Sequence, residues 1–418
     1  MPRTILIAIV IVAISALPAF AQDDVQARIS ALEAQVAQLQ KQLQDLRAAV
    51  PATPPSEPAP APAPAATFTP TVTVGGMMET QFTLAASGSL KQPIFASPSG
   101  NADFILTHVH PSIRATLDEK TSALLTLCTT HEGSTEVYEA YVEHAPNDRL
   151  DAKMGRFLLP FGAWNPISNA AMFKSVSRPL MYLGHEDRGI VLQGGPRPIL
   201  NDEHSDVGLL LSGRSEGKSA IVKWDGYVSN GFADQFGDYP DAWIDFRSSQ
   251  DNNTSKSLGA RIAASTPCGF TLGASWTGGK WDPQNKYRYD IAGADATWQM
   301  RSGLTLRAEY ATNPIGRSAA DGGKIHRHGW YAMAEKPVGQ KWTAVAMYST
   351  LSERPTANVN HVARLTLGAD YRLADSTTIK TEIGRLFIGR FIGNASNAPQ
   401  GTEFGDVTTL KVSSVVSF

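Results

Sequence analysis

Cysteine is almost absent from this 418-residue chain. Cys128 and Cys268 are the only two, they form no CxxC or CxC group, and neither a zinc knuckle nor a disulfide framework follows from them. As isolated thiols they read as two small buried side chains. Apolar runs long enough to cross a membrane as a helix are also missing: the longest, Ile5 to Leu17, covers about 13 residues against the roughly 20 that a spanning helix needs. Basic blocks are missing too. The 37 basic and 39 acidic residues are dispersed, and a formal net charge of -2 argues against nucleic acid as a partner. From Phe68 onward no segment holds a helical period of useful length. If such a chain enters a bilayer at all, only a closed barrel satisfies its backbone hydrogen bonds there.

What is present divides the chain into four parts. In residues 1–21, Arg3 precedes the apolar run and the small-x-small triplet Ala19-Phe20-Ala21 follows it, the pattern of a secretory signal peptide cut after Ala21. Residues 22–50 carry Val25, Ile29, Leu32, Val36, Leu39, Leu43, Leu46 and Val50 at alternating spacings of four and three, an unbroken heptad. So narrow an apolar stripe suits a seam between partner helices better than a helix lying on a globular surface, and predicts a homomeric coiled coil. Pro and Ala dominate residues 51–67. The stretch Pro51 to Pro64 cannot pack a core and extends as a polyproline II spacer of roughly 40 Å at about 3.1 Å per residue. The remainder, 68–418, is all-β.

Period-two alternation is the signal there. Leu304, Leu306, Ala308 and Tyr310 alternate with Thr305, Arg307 and Glu309, and Leu365, Leu367, Ala369 and Tyr371 alternate with Arg364, Thr366, Asp370 and Arg372. One face is apolar and the other charged. Short connections fall at 118–121, 145–149, 215–218, 266–269, 301–303, 338–340 and 374–376. Between them lie mostly longer ones, at 85–100, 131–135, 157–204, 232–255, 282–286, 314–325, 353–360 and 392–403. Seven short and eight longer connections imply sixteen strands, and the strict alternation predicts an antiparallel transmembrane β-barrel with short periplasmic turns and long external loops. In the last strand Leu410, Val412, Ser414, Val416 and Phe418 share the lipid-facing side, while Thr409, Lys411, Ser413, Val415 and Ser417 face inward. Trp224, Trp276, Trp298, Tyr310, Trp342, Tyr348 and Tyr371 lie outward near strand ends, as an aromatic girdle requires.

The terminal Phe, the sixteen strands and the long third loop resemble outer-membrane porins. Gly155-Arg156-Phe157-Leu158-Leu159-Pro160-Phe161-Gly162, closing the fifth strand, looks like the G-[RK]-x-x-x-P-F-G stretch of phosphate-selective-porin-like barrels, whose relatives include siderophore porins with an N-terminal coiled coil. The lysine cluster of the phosphate-selective members does not map onto this chain. The resemblance implies a passive pore for small solutes or anions in the outer membrane, assisted in insertion by the barrel-assembly machinery. It also implies a homo-oligomer with a trimer favoured, dimer left open, and the coiled coil in the periplasm. No cofactor is implied.

Alternation assigns Arg114, Lys153, Lys223, Asp225, Asp295, Arg307, Glu309, Arg364, Asp370, Arg372, Lys380, Glu382 and Lys411 to the interior, eight cations against five carboxylates. In a barrel wide enough for water they are expected to be solvated, as pore-lining groups or as a salt-bridge lattice in the wall. The third loop adds Lys174, Arg178 and Arg188 against Glu186 and Asp187, with Arg156 at its base. If this loop folds inward, as in general porins, the excess predicts weak anion preference. Enzymatic and metal readings are poorer. His110-Pro111-Ser112 resembles the His-x-Ser of outer-membrane phospholipases faintly, without an adjacent Asn, and Pro111 reads as the mark of a bulge. His108 with His110, and His326 with His328, are pairs for which no further metal ligands are evident in sequence. The reading is therefore a porin and not an enzyme. The alternatives are a barrel that tethers the envelope through its coiled coil and a siderophore-permeable or iron-complex-permeable pore.

Overall fold

The computed structural model describes residues 68–87, 102–130, 135–182, 196–200, 203–232, 251, 253–317, 323–354, 361–388 and 405–418, together with Gln38 and Lys41. The expected signal peptide, coiled coil and linker lie outside the described residues, apart from those two isolated helical positions. The chain forms two units, Met1–Thr67 and Phe68–Phe418; the second is a β-barrel.

Its strands are β1 (Thr71–Ser87), β2 (Ala102–Thr116), β3 (Thr121–Thr130), β4 (Thr135–Asn147), β5 (Leu150–Leu158), β6 (Ser205–Glu216), β7 (Ile221–Ser229) and β8 (Ser257–Ser265). They continue with β9 (Phe270–Lys280), β10 (Arg288–Gln299), β11 (Thr305–Ile315), β12 (Ile325–Val338), β13 (Trp342–Arg354), β14 (His361–Ala374), β15 (Thr377–Ile388) and β16 (Gly405–Ser417). Each pairs antiparallel with its sequence neighbours, and β1 pairs with β16, so the sheet closes into a sixteen-stranded barrel with no edge left to bond.

Closure is made at the chain terminus. The Gly76 amide donates to the Phe418 carbonyl at 2.9 Å, and the Phe418 amide returns a bond to the Gly76 carbonyl at 3.0 Å. A Cβ at position 76 would meet the Phe418 ring at 2.9 Å and the His110 carbonyl at 2.5 Å, so only glycine lets the last aromatic ring lie over the seam.

The pleat sorts the side chains as their alternation demands. Outward positions are apolar and uncovered, Phe104 being 76% exposed and Met154 71%, which in a closed barrel is a lipid-facing surface. In β16 Leu410 is exposed while Thr409, Lys411 and Ser413 are buried, so the facing register is the one the sequence dictates. Trp224, Phe270, Trp298, Trp342 and Tyr371 gather toward the short-turn end, with the Trp342 and Tyr371 rings 4.6 Å apart.

Among the described residues, two bulges interrupt the ladder away from the short turns. Between β1 and β2 the register shifts so that Thr107 is extra, and between β3 and β4 it shifts so that Tyr138 is extra. The bulge expected at Pro111 therefore lies four residues earlier. Opposite Gly76 the register runs intact through Pro111, whose missing N–H falls in a gap on the β3 side, between the Val109 and Ser112 pairs.

Candidate functional site

In the third long connection, residues 159–204 (L3), the described parts 159–182, 196–200 and 203–204 turn back over the inner wall. The turn starts at the glycine that ends the Gly155–Gly162 stretch. Gly162 has φ +63°, and a Cβ there would strike the Glu309 carboxylate and the Tyr182 hydroxyl, so the chain enters the lumen pressed against β11. The Gly162 amide donates to Ser275 Oγ at 3.0 Å. Asn165 then ties the two stems together: its Nδ2 donates to the carbonyls of Leu159 (2.8 Å) and His204 (2.9 Å), and its Oδ1 accepts from the His204 amide (2.8 Å).

Inward charges of the wall seat the loop. Glu309 accepts from the amides of Ala163 (3.1 Å) and Trp164 (3.3 Å) and from the hydroxyls of Tyr182 and Tyr331. Glu382 accepts from the amides of Val176 (3.0 Å) and Ser177 (2.8 Å). Lys380 donates to the carbonyls of Ala170 (2.6 Å), Phe173 (2.8 Å) and Ser175 (3.3 Å), and its ammonium lies 4.3 Å from the centre of the Phe173 ring. Lys411 reaches Ser177 Oγ at 2.9 Å, and Arg364 donates to the Arg178 carbonyl. Loop peptides that would lose water on burial are thus satisfied by wall side chains, which is what a buried irregular segment requires. Under this lattice Trp164, Phe173, Leu180, Met181 and Tyr182 pack with Ile291, Tyr331, Met347 and Leu351 of the wall into one buried apolar cluster.

The predicted interior charges divide accordingly. Arg156, Arg178, Glu309, Arg364, Asp370, Lys380, Glu382 and Lys411 are each 4% exposed or less. This corrects the expectation that the wall charges Glu309, Arg364, Asp370, Lys380, Glu382 and Lys411 are solvated: L3 lies on them, its own Arg178 is buried with them, and Arg156 of β5 binds Ser205 Oγ (3.4 Å) at the loop's return. Lys174 stays open, its side chain 39% exposed and 3.5 Å from Asp370. Across the lumen Arg114 and Lys153 share Glu143, at 3.7 and 3.6 Å, with Lys153 also 4.9 Å from the centre of the Tyr141 ring. Arg307 pairs with Glu335 at 2.7 Å, and Arg372 reaches the Gln340 carbonyl at 2.9 Å, both near the short-turn end. Arg188 lies outside the described residues.

Sequence reasoning missed Tyr182, Tyr331 and Asn165, because nothing in local pattern marks a loop residue for a partner across a lumen. It also set aside His108 and His110 for want of further ligands, whereas the fold brings Cys128 of β3 and Glu203 of L3 beside them, all four buried. Cys128 is buried as expected; Cys268, in the turn between β8 and β9, is exposed, contrary to expectation.

Solved outer-membrane proteins share this architecture at low identity. An anion-selective porin from Comamonas acidovorans is 14% identical with a TM-score of 0.53, over 84% of this chain and 100% of that one. The outer membrane channel DcaP of Acinetobacter baumannii is 9% identical with a TM-score of 0.54, over 84% and 97%. OmpT, an outer membrane protein of Vibrio cholerae, is 10% identical with a TM-score of 0.54, over 85% and 100%. No protein-family model and no curated protein matches the sequence. The likeness is one of fold: the chain is a closed sixteen-stranded barrel of the kind found in outer-membrane porins.

Proposed function

We propose that this protein is an outer-membrane porin, a water-filled channel through which small hydrophilic solutes diffuse passively. The observation that carries the reading is L3, held inside the barrel on the lattice of Glu309, Glu382 and Lys380, since a loop anchored there narrows the lumen without filling a wall of sixteen strands. Weak anion preference is part of the proposal, and its basis narrows to Arg114 and Lys153 of the wall and Lys174 of the loop. Arg178 and Arg156 are buried, whereas Arg114 and Lys153 share one carboxylate and Lys174 keeps access to water. In a confined passage a small cationic excess raises local anion concentration; in an open lumen at 0.15 M salt it is screened over about 8 Å. Residues 22–50 add a periplasmic coiled coil that joins copies of the chain, a trimer by preference.

Swelling of liposomes containing the purified protein, in sugars of graded size, tests the channel. Swelling is expected for small sugars with a sharp size limit; its absence for every sugar would favour the envelope-tethering reading. Reversal potentials under a salt gradient test the selectivity: Lys153→Glu with Lys174→Glu is expected to shift permeability toward cations, and an unchanged ratio would remove both residues from the ion path.

A further inference from the structure

We propose that the barrel wall carries a divalent metal site built from His108, His110, Cys128 and Glu203, with zinc as the ion its donors fit. The four are 0%, 1%, 4% and 7% exposed, and one ligand atom from each lies within 4.8 Å of all the others. His110 Nε2 is 3.5 Å from Glu203 Oε2, His108 Nδ1 is 3.8 Å from Cys128 Sγ, and His108 Nδ1 is 4.0 Å from Glu203 Oε2. Zinc bonds of about 2.0–2.3 Å in a tetrahedron place ligand atoms roughly 3.3–3.7 Å apart, so the cluster needs to contract by less than about 1.5 Å to close on an ion.

Donor chemistry narrows the ion. A thiolate and two imidazoles beside one carboxylate suit zinc, and disfavour calcium and magnesium, which take oxygen shells. Charge balances as well: a dication with one thiolate, one carboxylate and two neutral imidazoles sums to zero, the condition for burying the set in a low-dielectric wall. Binding releases the thiol proton of Cys128 to solvent, since the thiolate is the ligand.

The backbone around the cluster is bent toward this arrangement. Both of the bulges at Thr107 and Tyr138 adjoin it: Thr107 precedes His108, and Tyr138 stacks on His110 with ring centres 4.8 Å apart. Bulges re-aim side chains and gather at functional positions. Glu203 adopts φ +56°, a left-handed conformation that non-glycine residues occupy at a cost, and it does so at the point where L3 returns to the wall. Asn169 of L3 sits 3.4 Å from His110 Nδ1, leaving Nε2 turned to Glu203. One neighbour works against the ion. Arg178 Nη2 lies 3.3 Å from His108 Nε2, and a metal on Nδ1 leaves the ring proton on Nε2, so binding has to displace this guanidinium. With Glu203 contributed by the loop and the other three by β2 and β3, the ion would clamp the returning end of L3 to the wall.

The test uses the full chain, folded in detergent, carrying Cys268→Ala so that Cys128 is the sole thiol. After chelation and dialysis against zinc, one ion per chain is expected by mass spectrometry, and cobalt in its place is expected to give a thiolate-to-metal charge-transfer band in the near ultraviolet. Changes in the surrounding shell of a zinc site cost about 10–100-fold in affinity, so loss of a ligand in Cys128→Ala or Glu203→Ala should cost at least about 100-fold. Heat-modifiability on gels shows whether each variant has folded, and the cobalt band of the single-thiol protein decides the matter even where a ligand variant fails to fold. Absence of that band, or zinc uptake unchanged in folded Cys128→Ala, would overturn the site and leave the cluster a hydrogen-bonded link between L3 and the wall.

Discussion

Replacing Glu382 by Ala probes the seat of L3 directly. Its carboxylate accepts the Val176 and Ser177 amides at 3.0 and 2.8 Å, and the side chain is 2% exposed. Hydrogen bonds to a charged group contribute about 1.5–3 kcal/mol each, so two of them hold the loop by about 3–6 kcal/mol. At 1.4 kcal/mol per tenfold, their loss shifts the ratio of seated to lifted loop by about 10² to 10⁴. The barrel itself has no stake in these bonds, because its strands are joined by the ladder, and heat-modifiability should stay that of the parent. Glu309 and Lys380 still hold other parts of the loop, so single channels of Glu382→Ala in planar bilayers should flicker between a parental and a larger conductance. The double variant Glu309→Ala with Glu382→Ala should remain in the larger one. Glu382→Gln keeps an acceptor for both amides and should change the record little. A folded double variant with the conductance and noise of the parent would show that L3 does not limit the passage.

Three further outcomes are expected. Val412→Arg should impair folding by about 2–4 kcal/mol, since Val412 lies outward on β16, whereas Lys411→Ala should fold and act on L3 through the lost bond to Ser177; equal heat-modifiability of the two would refute the facing register. Leu32→Asp with Leu39→Asp should abolish the association of copies in crosslinking while the barrel still inserts, and persistent oligomers of unchanged size would contradict the seam. At the exposed turn between β8 and β9, the hydrogen bond from Thr266 holds the Cys268 thiol below its ordinary pKa. More thiolate is then present at neutral pH than in a free cysteine, so maleimide should label Cys268 faster than a model thiol at pH 7; the advantage should vanish well above pH 9 and shrink in Thr266→Val, where the Phe270 amide still lowers the thiol.

Architecture was legible in the sequence because it is repeated and local. Each strand restates the same alternation, and connections such as 118–121, 266–269 and 301–303 coincide with observed turns to within a residue or two. Where a turn was displaced, as at 215–218 against the observed 217–220, Ser215 and Glu216 are polar yet still pair with Val222 and Ile221 across the ladder. The covering of the lumen was illegible for the opposite reason. Lys380 and Ala170 are bonded across 210 positions, and Glu382 and Val176 across 206, so local pattern separates neither from a solvated pore-lining charge. His108 and His110 form a recognisable pair, but Cys128 reaches them only through the pairing of β2 with β3, and Glu203 only through the fold of L3.

Current through the purified protein in a planar bilayer tests the central claim most directly. A porin narrowed by a seated L3 predicts stepwise, ohmic openings of uniform size that scale with salt concentration, with a reversal potential displaced slightly toward that of the anion. Protein that inserts, as judged by protection of its strands from protease, yet passes no current at any salt or voltage would contradict the account.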